Sequence, residues 1–199
     1  MSEISRNTAE TQIDCNLDLG RRESPQVETN LPFLSHMLTA MATHGGFFLR
    51  MMAHGDVDVD PHHLIEDCGI VLGQALRAHQ QQIAAVARFG HAVIPMDEAI
   101  AEVTIDVCGR STAVYQPLAP TQLIGTLSAG VFREFWSGLA DGARISVHCV
   151  ERYGENAHHA VEAGFKALGR AITMAYAPSA GDRTASTKEI GRASCRERV

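Results

Sequence analysis

Two copies of one short motif carry the residues most able to do chemistry: a pair of histidines followed, after two other residues, by a glutamate. The motif occurs at His62–Glu66 and again at His158–Glu162. On an α-helix its three polar side chains lie at about 0°, 100° and 40°, so they share one face of the first turn. Imidazole nitrogens suit Mn, Fe, Ni, Cu or Zn, and an added carboxylate favours the harder ions among these. Each motif therefore predicts a metal site at a helix start.

The two copies belong to a longer match. The two motifs lie 96 residues apart, and the same offset relates a leucine-glycine-x-alanine pattern at Leu72–Ala75 to another at Leu168–Ala171. A polar helix start with solvated histidines explains a single copy equally well. Two copies in register are hard to reach by chance and are typical of a duplicated half-domain. The duplication therefore favours metal binding over solvated histidines.

Two further histidines join the motifs by position. His36 lies in the segment before the first motif, and His148 lies in the segment before the second. The combined set divides into two sites of three nitrogens and one oxygen each. An octahedral metal would keep open positions in such a site, which is typical of substrate binding at the metal. His44 is a weaker candidate, and ordinary surface positions are predicted for His54, His79 and His91.

Hydrophobic periodicity predicts the elements that must position these residues. In the first half, an alternating strand at residues 11–19 precedes a helical stripe that runs from Phe33 to a stop at Gly45-Gly46. A strand follows at residues 47–53, and Asp60-Pro61 predicts the start of the helix that carries the first motif. The second half repeats this order, with a strand at 101–107, a helix at 131–139, a strand at 145–149 and a helix at 161–172.

These elements predict an α+β fold of two duplicated half-domains, at residues 1–95 and 96–188, with helices layered against sheets. Residues 189–199 differ from the rest, because they contain three arginines, a cysteine and no apolar period. We interpret them as a non-native or disordered tail, and of these two we favour non-native sequence.

Composition excludes several functional classes. The chain has 199 residues, is 45% hydrophobic and carries a net charge of −6 without a basic stripe, which argues against nucleic-acid binding. No apolar run reaches the roughly 18 residues of a membrane span, and the polar N-terminus does not have the pattern of a signal peptide. The five cysteines are scattered without C-x-x-C spacing, which indicates reduced thiols. We expect a cytoplasmic protein.

Five ordered motifs resemble those of imidazoleglycerol-phosphate dehydratase, from Arg6 to Lys188. They are L-P-F-L-S-H-M-L-x-x-M-A-T-H-G-G (31–46), G-D-V-x-V-D-x-H-H-x-x-E-D (55–67), R-F-G-x-x-x-x-P-M-D-E-A (88–99), C-G-R (108–110) and G-E-N-A-H-H-x-x-E-A-x-F-K-A (154–167). Their number and order make the resemblance specific. It implies helices packed between mixed β-sheets, a ribosomal protein S5 domain 2-like fold.

The resemblance also implies a set of site residues. Two Mn²⁺ ions per active site would be held by the eight residues that spacing singles out, namely His36, His62, His63, Glu66, His148, His158, His159 and Glu162. The substrate phosphate would be bound by Arg88, Arg110, Lys166, Ser186 and Lys188, which are residue types that suit a phosphate. Any one of these cations alone would be interpreted as a solvated surface charge. Glu10 would handle protons, and His44 is a further candidate substrate contact.

The implied reaction removes water from D-erythro-imidazole glycerol phosphate to give imidazole acetol phosphate, a step of histidine biosynthesis. The proton that is lost lies on a carbon with no adjacent carbonyl to acidify it. Metal ions at the two ring nitrogens would help the ring to expel the neighbouring hydroxyl, and Glu10 would move protons. The family forms closed shells of 24 chains that share metal sites. We therefore expect a homo-oligomer that acts on a small phosphorylated imidazole.

Three positions depart from the family pattern. Ser35 stands where the family has aspartate, Leu64 where threonine is common, and Glu189 where glycine usually follows S-x-K. A carboxylate orients a ligand imidazole better than a hydroxyl does, so Ser35 puts a contact to His36 in doubt. Glu189 agrees with a foreign tail that begins at this position.

Two other functions remain as alternatives. A di-metal hydrolase or oxidase of the four-helix type would use carboxylate-rich E-x-x-H sites on long helices, whereas this chain is rich in histidines and strands. A non-enzymatic assembly protein would use metal only to hold subunits together, and its metal would have no open position for an imidazole or triazole compound.

Overall fold

The computed structural model describes residues 1–179 of the protein. The first half contains β1 (Ser2–Asn7), β2 (Thr11–Asp18), β3 (Gln26–Thr29), α1 (Pro32–Gly45), β4 (Phe48–Gly55) and α2 (His62–Gln81). The second half contains β5 (Phe89–Met96), β6 (Ala99–Asp106), β7 (Thr112–Gln116), β8 (Leu123–Ile124), β9 (Leu127–Ser128), a 3₁₀ turn (Ala129–Val131), α3 (Phe132–Ala143), β10 (Ser146–Tyr153) and α4 (Ala157–Ala175).

The two halves share one sheet topology. The first sheet has the strand order β1-β2-β4-β3, and the second has the order β5-β6-β10-β7. In both sheets the first three strands in this order pair antiparallel, and the last strand is parallel to its neighbour. Mixed sheets and helices therefore recur in the same arrangement, and the predicted α+β fold is confirmed.

The second topological repeat begins earlier than the expected boundary after residue 95. Strand β5 pairs with β6 along its whole length and belongs to the second sheet, so this repeat starts at Phe89. The sequence pattern concealed β5, because Phe89 and Val93 are apolar residues that remain 59% and 41% exposed. Apolar residues in a strand usually mark its buried face, but Phe89 and Val93 do not, so the pattern gave no sign of a strand here.

The helices lie between the two sheets. Helices α1 and α2 contact the first sheet, and α3 and α4 contact the second. Across the middle of the molecule α1 packs on α4, and α2 packs on α3. The packing of α1 on α4 decides the site described below, because it brings residues of the two halves together.

Glycines allow α2 and α3 to approach closely. A Cβ atom added to Gly69 would lie 2.4 Å from the carbonyl oxygen of Phe135, and one added to Gly138 would lie 2.4 Å from that of Glu66. Real Cβ atoms do not approach other atoms so closely, so the two helix backbones touch at a spacing that only glycine permits. The helix that carries the first motif is thereby fixed against the second half.

Local patterns form the elements as predicted. In β2, Ile13, Cys15 and Leu17 are buried, and the residues between them point outward. Helix α1 ends where Gly46 adopts a left-handed conformation with φ of 68°, as helix ends commonly do. Helix α2 begins one residue later than Pro61, and the Asp60 carboxylate accepts a hydrogen bond from the His62 N–H at 2.8 Å.

Among residues 1–179, no helix combines the length and the apolar character needed to cross a membrane.

Candidate active site

Three of the eight predicted metal ligands meet where α1 packs on α4. His36 lies on α1, and His158 and Glu162 lie one turn apart at the start of α4. The Nε2 atoms of His36 and His158 lie 3.2 Å and 3.1 Å from the same oxygen, Glu162 Oε2. Ligand atoms of all three residues lie within 4.8 Å of one another. Two imidazole nitrogens and one carboxylate oxygen at this spacing fit a transition-metal ion.

The start of α4 is built to hold these side chains. Asn156 is the N-cap residue, and its side-chain oxygen accepts a hydrogen bond from the His158 N–H at 2.9 Å. Phe33 of α1 packs edge-on against the His158 ring, with the ring centroids 5.0 Å apart. Both contacts restrict the side chains on the first turn of α4.

Glu162 is negatively charged in this site. Its burial acts to raise the pKa, but the hydrogen bond and charge of Lys166, aided by His36 and His158, outweigh burial and lower the pKa. Lys166 Nζ lies 2.9 Å from Glu162 Oε1. The side chain of Glu162 is only 8% exposed, whereas those of His36 and His158 are 50% and 39% exposed. The cluster is therefore anchored on a buried carboxylate and open on its histidine side.

The first motif stands apart from this cluster. His62 Nε2 lies 3.9 Å from Glu66 Oε2, and His63 Nδ1 faces Asp56 Oδ1 at 3.4 Å and Glu10 Oε2 at 3.7 Å. The hydrogen bond to Asp56 is the main cause that raises the pKa of His63. Within residues 1–179, these side chains do not form a second three-residue metal cluster.

Glu10 lies in the turn between β1 and β2, and buried contacts fix this turn on α2. The Asp67 carboxylate, directly after the first motif, accepts a hydrogen bond from the Thr11 hydroxyl at 2.5 Å and pairs with Arg6 at 2.9 Å. Within the turn, the Thr8 hydroxyl oxygen accepts a hydrogen bond from the Glu10 N–H at 3.1 Å. The first motif and the predicted proton-handling residue are therefore held side by side.

His159 has a carboxylate partner that the sequence did not reveal. Glu98, in the turn between β5 and β6, places Oε2 2.7 Å from His159 Nδ1. Its Oε1 accepts hydrogen bonds from the N–H groups of Glu155 at 3.1 Å and Asn156 at 2.9 Å. The bond to His159, followed by that from Asn156, lowers the pKa of Glu98 to about 2. The available signal was its place directly before β6, which matches the place of Glu10 before β2.

His148 lies away from the cluster. It is exposed on the outer face of the second sheet, where it lines a shallow pocket with Phe89, Thr104 and Asp106. His158 of the second motif lies at the opposite, helix-covered side of that sheet, in the cluster with His36. The described part of one chain therefore does not bring His148 and His158 into a common three-residue cluster.

The predicted phosphate ligands are spread over the second half. Arg88 pairs with Asp106 at 2.7 Å, Arg110 is exposed, and Lys166 pairs with Glu162. Ser186 and Lys188, like the predicted tail at 189–199, lie outside the described residues. His44 is exposed on the last turn of α1, and partial burial, followed by the charge of Lys166, lowers its pKa.

Ser35 uses its hydroxyl for the backbone before α1 rather than for His36. Its Oγ accepts a hydrogen bond from the Thr29 N–H at 2.9 Å and lies 2.9 Å from the Thr29 hydroxyl. The serine that replaces aspartate therefore joins the end of β3 to the first turn of α1. Two of the histidines predicted to be ordinary surface residues, His54 and His91, are exposed, and His79 is half-buried.

Comparison with known proteins gives this arrangement a family. The family model described as imidazoleglycerol-phosphate dehydratase matches residues 29–172. The chain belongs to the imidazoleglycerol-phosphate dehydratase family. A protein of that name from Gluconobacter oxydans is 40% identical over 94% of this chain and 96% of its own length. Another from a Geobacter species is 43% identical over 86% of this chain and 88% of its own length.

Solved structures of the same family have the same fold. The crystal structure of the Pyrococcus furiosus protein in complex with (S)-C348 matches with a TM-score of 0.78 and 37% identity, over 89% of this chain and 95% of that one. The Staphylococcus aureus imidazoleglycerol-phosphate dehydratase matches with a TM-score of 0.77 and 30% identity, over 90% and 100%. The chain is therefore a dehydratase of histidine biosynthesis, and the alternatives of a four-helix di-metal protein and a non-enzymatic assembly protein are wrong.

Proposed function

We propose that the protein dehydrates D-erythro-imidazole glycerol phosphate to imidazole acetol phosphate, with two Mn²⁺ ions per active site that bind the substrate imidazole. The observation that carries the proposal is the cluster of His36, His158 and Glu162, in which two nitrogens and one charged oxygen converge and the histidine side stays open. Open positions suit a ligand from the substrate rather than a closed structural site.

The ligand set extends beyond this cluster. His36, His158 and Glu162 would hold one ion, and the other predicted ligands would complete the sites, namely His62, His63, Glu66, His148 and His159. When bound, the ions supply an electrophile that draws electrons from the imidazole ring and favours loss of the neighbouring hydroxyl. The chain contributes the fixed positions of the ligands, because α4 is capped at Asn156 and packed on α1.

Glu10 is the proposed acid–base residue. Its carboxylate is 53% exposed and faces His63, so a substrate held beside the first motif would be within its reach. It would remove the proton from the carbon next to the one that loses hydroxide, or pass a proton to the departing oxygen. Unlike Glu162, whose side chain is 8% exposed, the Glu10 carboxylate is open to a bound substrate.

Phosphate binding supplies orientation. Arg88, Arg110, Lys166, Ser186 and Lys188 are the proposed contacts, with His44 beside Lys166 as a further one. Lys166 lies one turn after Glu162 on α4, so a phosphate held there would be close to the metal cluster. Binding energy from this distant group would orient the reacting carbons and so contribute to the rate as well as to affinity.

We further propose that 24 chains assemble into a closed shell that shares metal sites between subunits, in the cytoplasm. The support for sharing is that one chain, in its described part, gathers only three of the eight ligands. His62 and His148 then remain to meet ligands of a neighbouring chain.

The test is ketone formation from imidazole glycerol phosphate by metal-stripped protein, with and without added Mn²⁺. We expect turnover only with Mn²⁺, and almost none in His158→Asn. His91→Asn is the matched control, because His91 is an exposed histidine outside the proposed ligand set. Binding of a triazole compound to the reloaded protein should compete with substrate. Full turnover in stripped protein, or in His158→Asn, would contradict the proposal.

A further inference from the structure

The duplication places a glutamate at the same position in both half-domains. Glu10 directly precedes β2, and Glu98 directly precedes β6, the equivalent strand of the second sheet. Each carboxylate faces the second histidine of the motif in its own half: Glu10 faces His63, and Glu98 faces His159. The two glutamates are therefore structural counterparts.

The two counterparts differ in how firmly they are held. Glu10 Oε2 lies 3.7 Å from His63 Nδ1, beyond a good hydrogen bond. Glu98 Oε2 lies 2.7 Å from His159 Nδ1, and its other oxygen accepts two backbone N–H groups. Three hydrogen bonds on one carboxylate fix both its position and its orientation, so Glu98 is immobilised where Glu10 is not.

We propose that Glu98 is a positioning residue of the metal site, which holds the His159 imidazole with the proton on Nδ1 and leaves Nε2 as the ligand atom. This inference rests on the proposed function, because it takes His159 as a ligand. A ligand histidine usually donates its second ring N–H to a carboxylate or carbonyl, which fixes the tautomer and the ring orientation. Nε2 is not used by Glu98 and lies 3.4 Å from Asn156 Nδ2 and 3.7 Å from Asp97 Oδ2.

Glu98 also fixes the helix on which the ligands stand. The N–H groups of Glu155 and Asn156 lie just before α4, where a helix start leaves backbone donors without intrahelical partners. By accepting both, Glu98 ties the β5–β6 turn to the segment that leads into α4, including its N-cap residue Asn156. The same carboxylate therefore sets the ring of His159 and the start of the helix that carries His158 and Glu162.

Glu98→Gln separates these two roles. The glutamine oxygen is able to keep both backbone hydrogen bonds, and its NH₂ group then faces His159 Nδ1. Since an NH₂ group only donates, Nδ1 would have to become the acceptor and the proton would move to Nε2. A protonated Nε2 does not bind metal. Glu98→Ala removes both roles, and Glu155→Gln is the control because it changes an exposed glutamate of the same loop.

The experiment measures Mn²⁺ binding to the full-length, metal-stripped protein by electron paramagnetic resonance of free Mn²⁺, together with the thermal unfolding midpoint of the stripped protein. Loss of such a histidine partner weakens metal binding by about 10–100-fold. In Glu98→Gln we expect this weaker Mn²⁺ binding at one class of site, with an unfolding midpoint near that of wild type. In Glu98→Ala we expect the same weaker binding together with a lower midpoint. Glu155→Gln should change neither Mn²⁺ binding nor the midpoint. Solid-state ¹⁵N NMR of histidine-labelled stripped protein should show the His159 proton on Nδ1 in wild type and on Nε2 in Glu98→Gln.

The possible failures are distinct. If wild-type protein binds Mn²⁺ and Glu98→Gln shows the same Mn²⁺ affinity and the same His159 tautomer, only the positioning role is overturned. If Mn²⁺ binding is weaker and the unfolding midpoint is lowered equally in Glu98→Gln and Glu98→Ala, Glu98 has a merely structural role. This result would also overturn the positioning role. If wild-type protein binds no Mn²⁺, the proposed function fails, and the inference fails with it.

Discussion

At the scale of single residues, two glutamates show how surroundings set the work that a carboxylate is able to do. Glu162 is buried against Lys166 and two histidines, and these contacts keep it charged. Glu10 is 53% exposed in a turn that is itself fixed on α2. The first arrangement suits a fixed metal ligand, and the second leaves a carboxylate accessible to a bound substrate.

Glu10→Gln should therefore abolish most turnover without loss of metal. The amide keeps the shape of the side chain but has no basic oxygen, and acid–base catalysis typically contributes about 10²–10⁴-fold. Turnover and bound Mn²⁺ are measured on the same reloaded sample, with Glu3→Gln on the exposed side of β1 as the control. Near-normal turnover in a fully metallated variant would remove Glu10 from the mechanism.

A buried glutamate outside the cluster should make stability depend on pH. Glu151 on β10 is 4% exposed and accepts hydrogen bonds from the Tyr115 hydroxyl at 2.8 Å and the Leu118 N–H at 2.9 Å. Burial raises its pKa above the ordinary 4.5, although both hydrogen bonds oppose this. The folded protein thus binds this proton more tightly than the unfolded chain, so the stabilising contribution is complete below pH 4.5 and is lost as pH rises through the raised pKa.

Glu151→Gln removes this titration. We expect the free energy of unfolding of the variant, relative to wild type, to improve steadily as pH rises from 4.5 through the window in which Glu151 ionises. The measurement is denaturant unfolding at a series of pH values, with Glu3→Gln as the control. A pH-independent difference would show that Glu151 ionises with the same pKa in the folded and unfolded protein.

Residue types and spacing predicted the metal-ligand candidates because helix geometry alone decides which side chains of a short motif share a face. Spacing could not find the partners of those side chains. The contact of Glu98 with His159, or of Lys166 with a shared Glu162, depends on which turn meets which helix. Such contacts are decided by tertiary packing, and the correspondence of Glu10 before β2 with Glu98 before β6 follows from the strand positions in the structure.

At the scale of elements, those with one clean buried face were predictable and those without one were not. Strand β2 and helix α2 have regular apolar patterns and lie where expected. Strands β1, β3, β5 and β7 were missed, because β1, β3 and β5 are mostly exposed or half-buried along their length and β7 buries one residue, Tyr115. Their formation depends on pairing with a neighbour rather than on their own pattern.

The contact between α2 and α3 should be intolerant of a single methyl group. In Gly138→Ala the new Cβ would lie 2.4 Å from the Glu66 carbonyl oxygen and 3.0 Å from the Ile70 nitrogen, both backbone atoms of α2. The helices must move apart, which costs about 1–3 kcal/mol and over most of that range outweighs the roughly 1 kcal/mol that alanine gains over glycine in a helix.

We therefore expect a lower thermal unfolding midpoint for Gly138→Ala than for wild type. Ser137→Ala, the adjacent position of α3, is the matched control because it adds no atom at the helix contact. Since Glu66 lies on the strained turn of α2, Mn²⁺ binding at the first motif should weaken as well. A midpoint equal to that of Ser137→Ala would show that separating the two helices costs no more than alanine gains over glycine in a helix.

At the scale of the whole molecule, duplication builds a fold with two equivalent motif positions, but within residues 1–179 only one of them gathers a three-residue cluster. The second motif meets His36 of the first half through the packing of α1 on α4. The first motif lies on α2, which packs on α3, and α3 contributes no histidine. The sequence could show the duplication but not this asymmetry, because it follows from which helices of the two halves pack together.

This asymmetry leads to the expectation that metal binding and assembly are linked. If His62, His63, Glu66 and His148 find their remaining partners on neighbouring chains, each ion adds free energy to a subunit interface, and assembly depends on metal by mass action. Removal of Mn²⁺ should then split the particle into smaller, inactive oligomers, and its return should restore both size and activity. His62→Asn and His158→Asn should have the same effect as the chelator without unfolding the chain, because both side chains lie at helix starts and outside the apolar core.

Light scattering on stripped and reloaded protein, alongside the ketone assay, measures particle size and activity together. His91→Asn, an exposed histidine on β5 outside the ligand set, should keep wild-type behaviour in both states. If metal sites are shared between chains, metal-stripped wild-type protein should form particles of the same small size as the His62→Asn variant. Added Mn²⁺ should restore the full particle size of wild type but not of His62→Asn, because the variant still lacks a bridging nitrogen. A stripped protein that keeps its full size, or a reloaded monomer with full activity, would show that each chain closes its own sites and that interface energy comes from protein contacts alone.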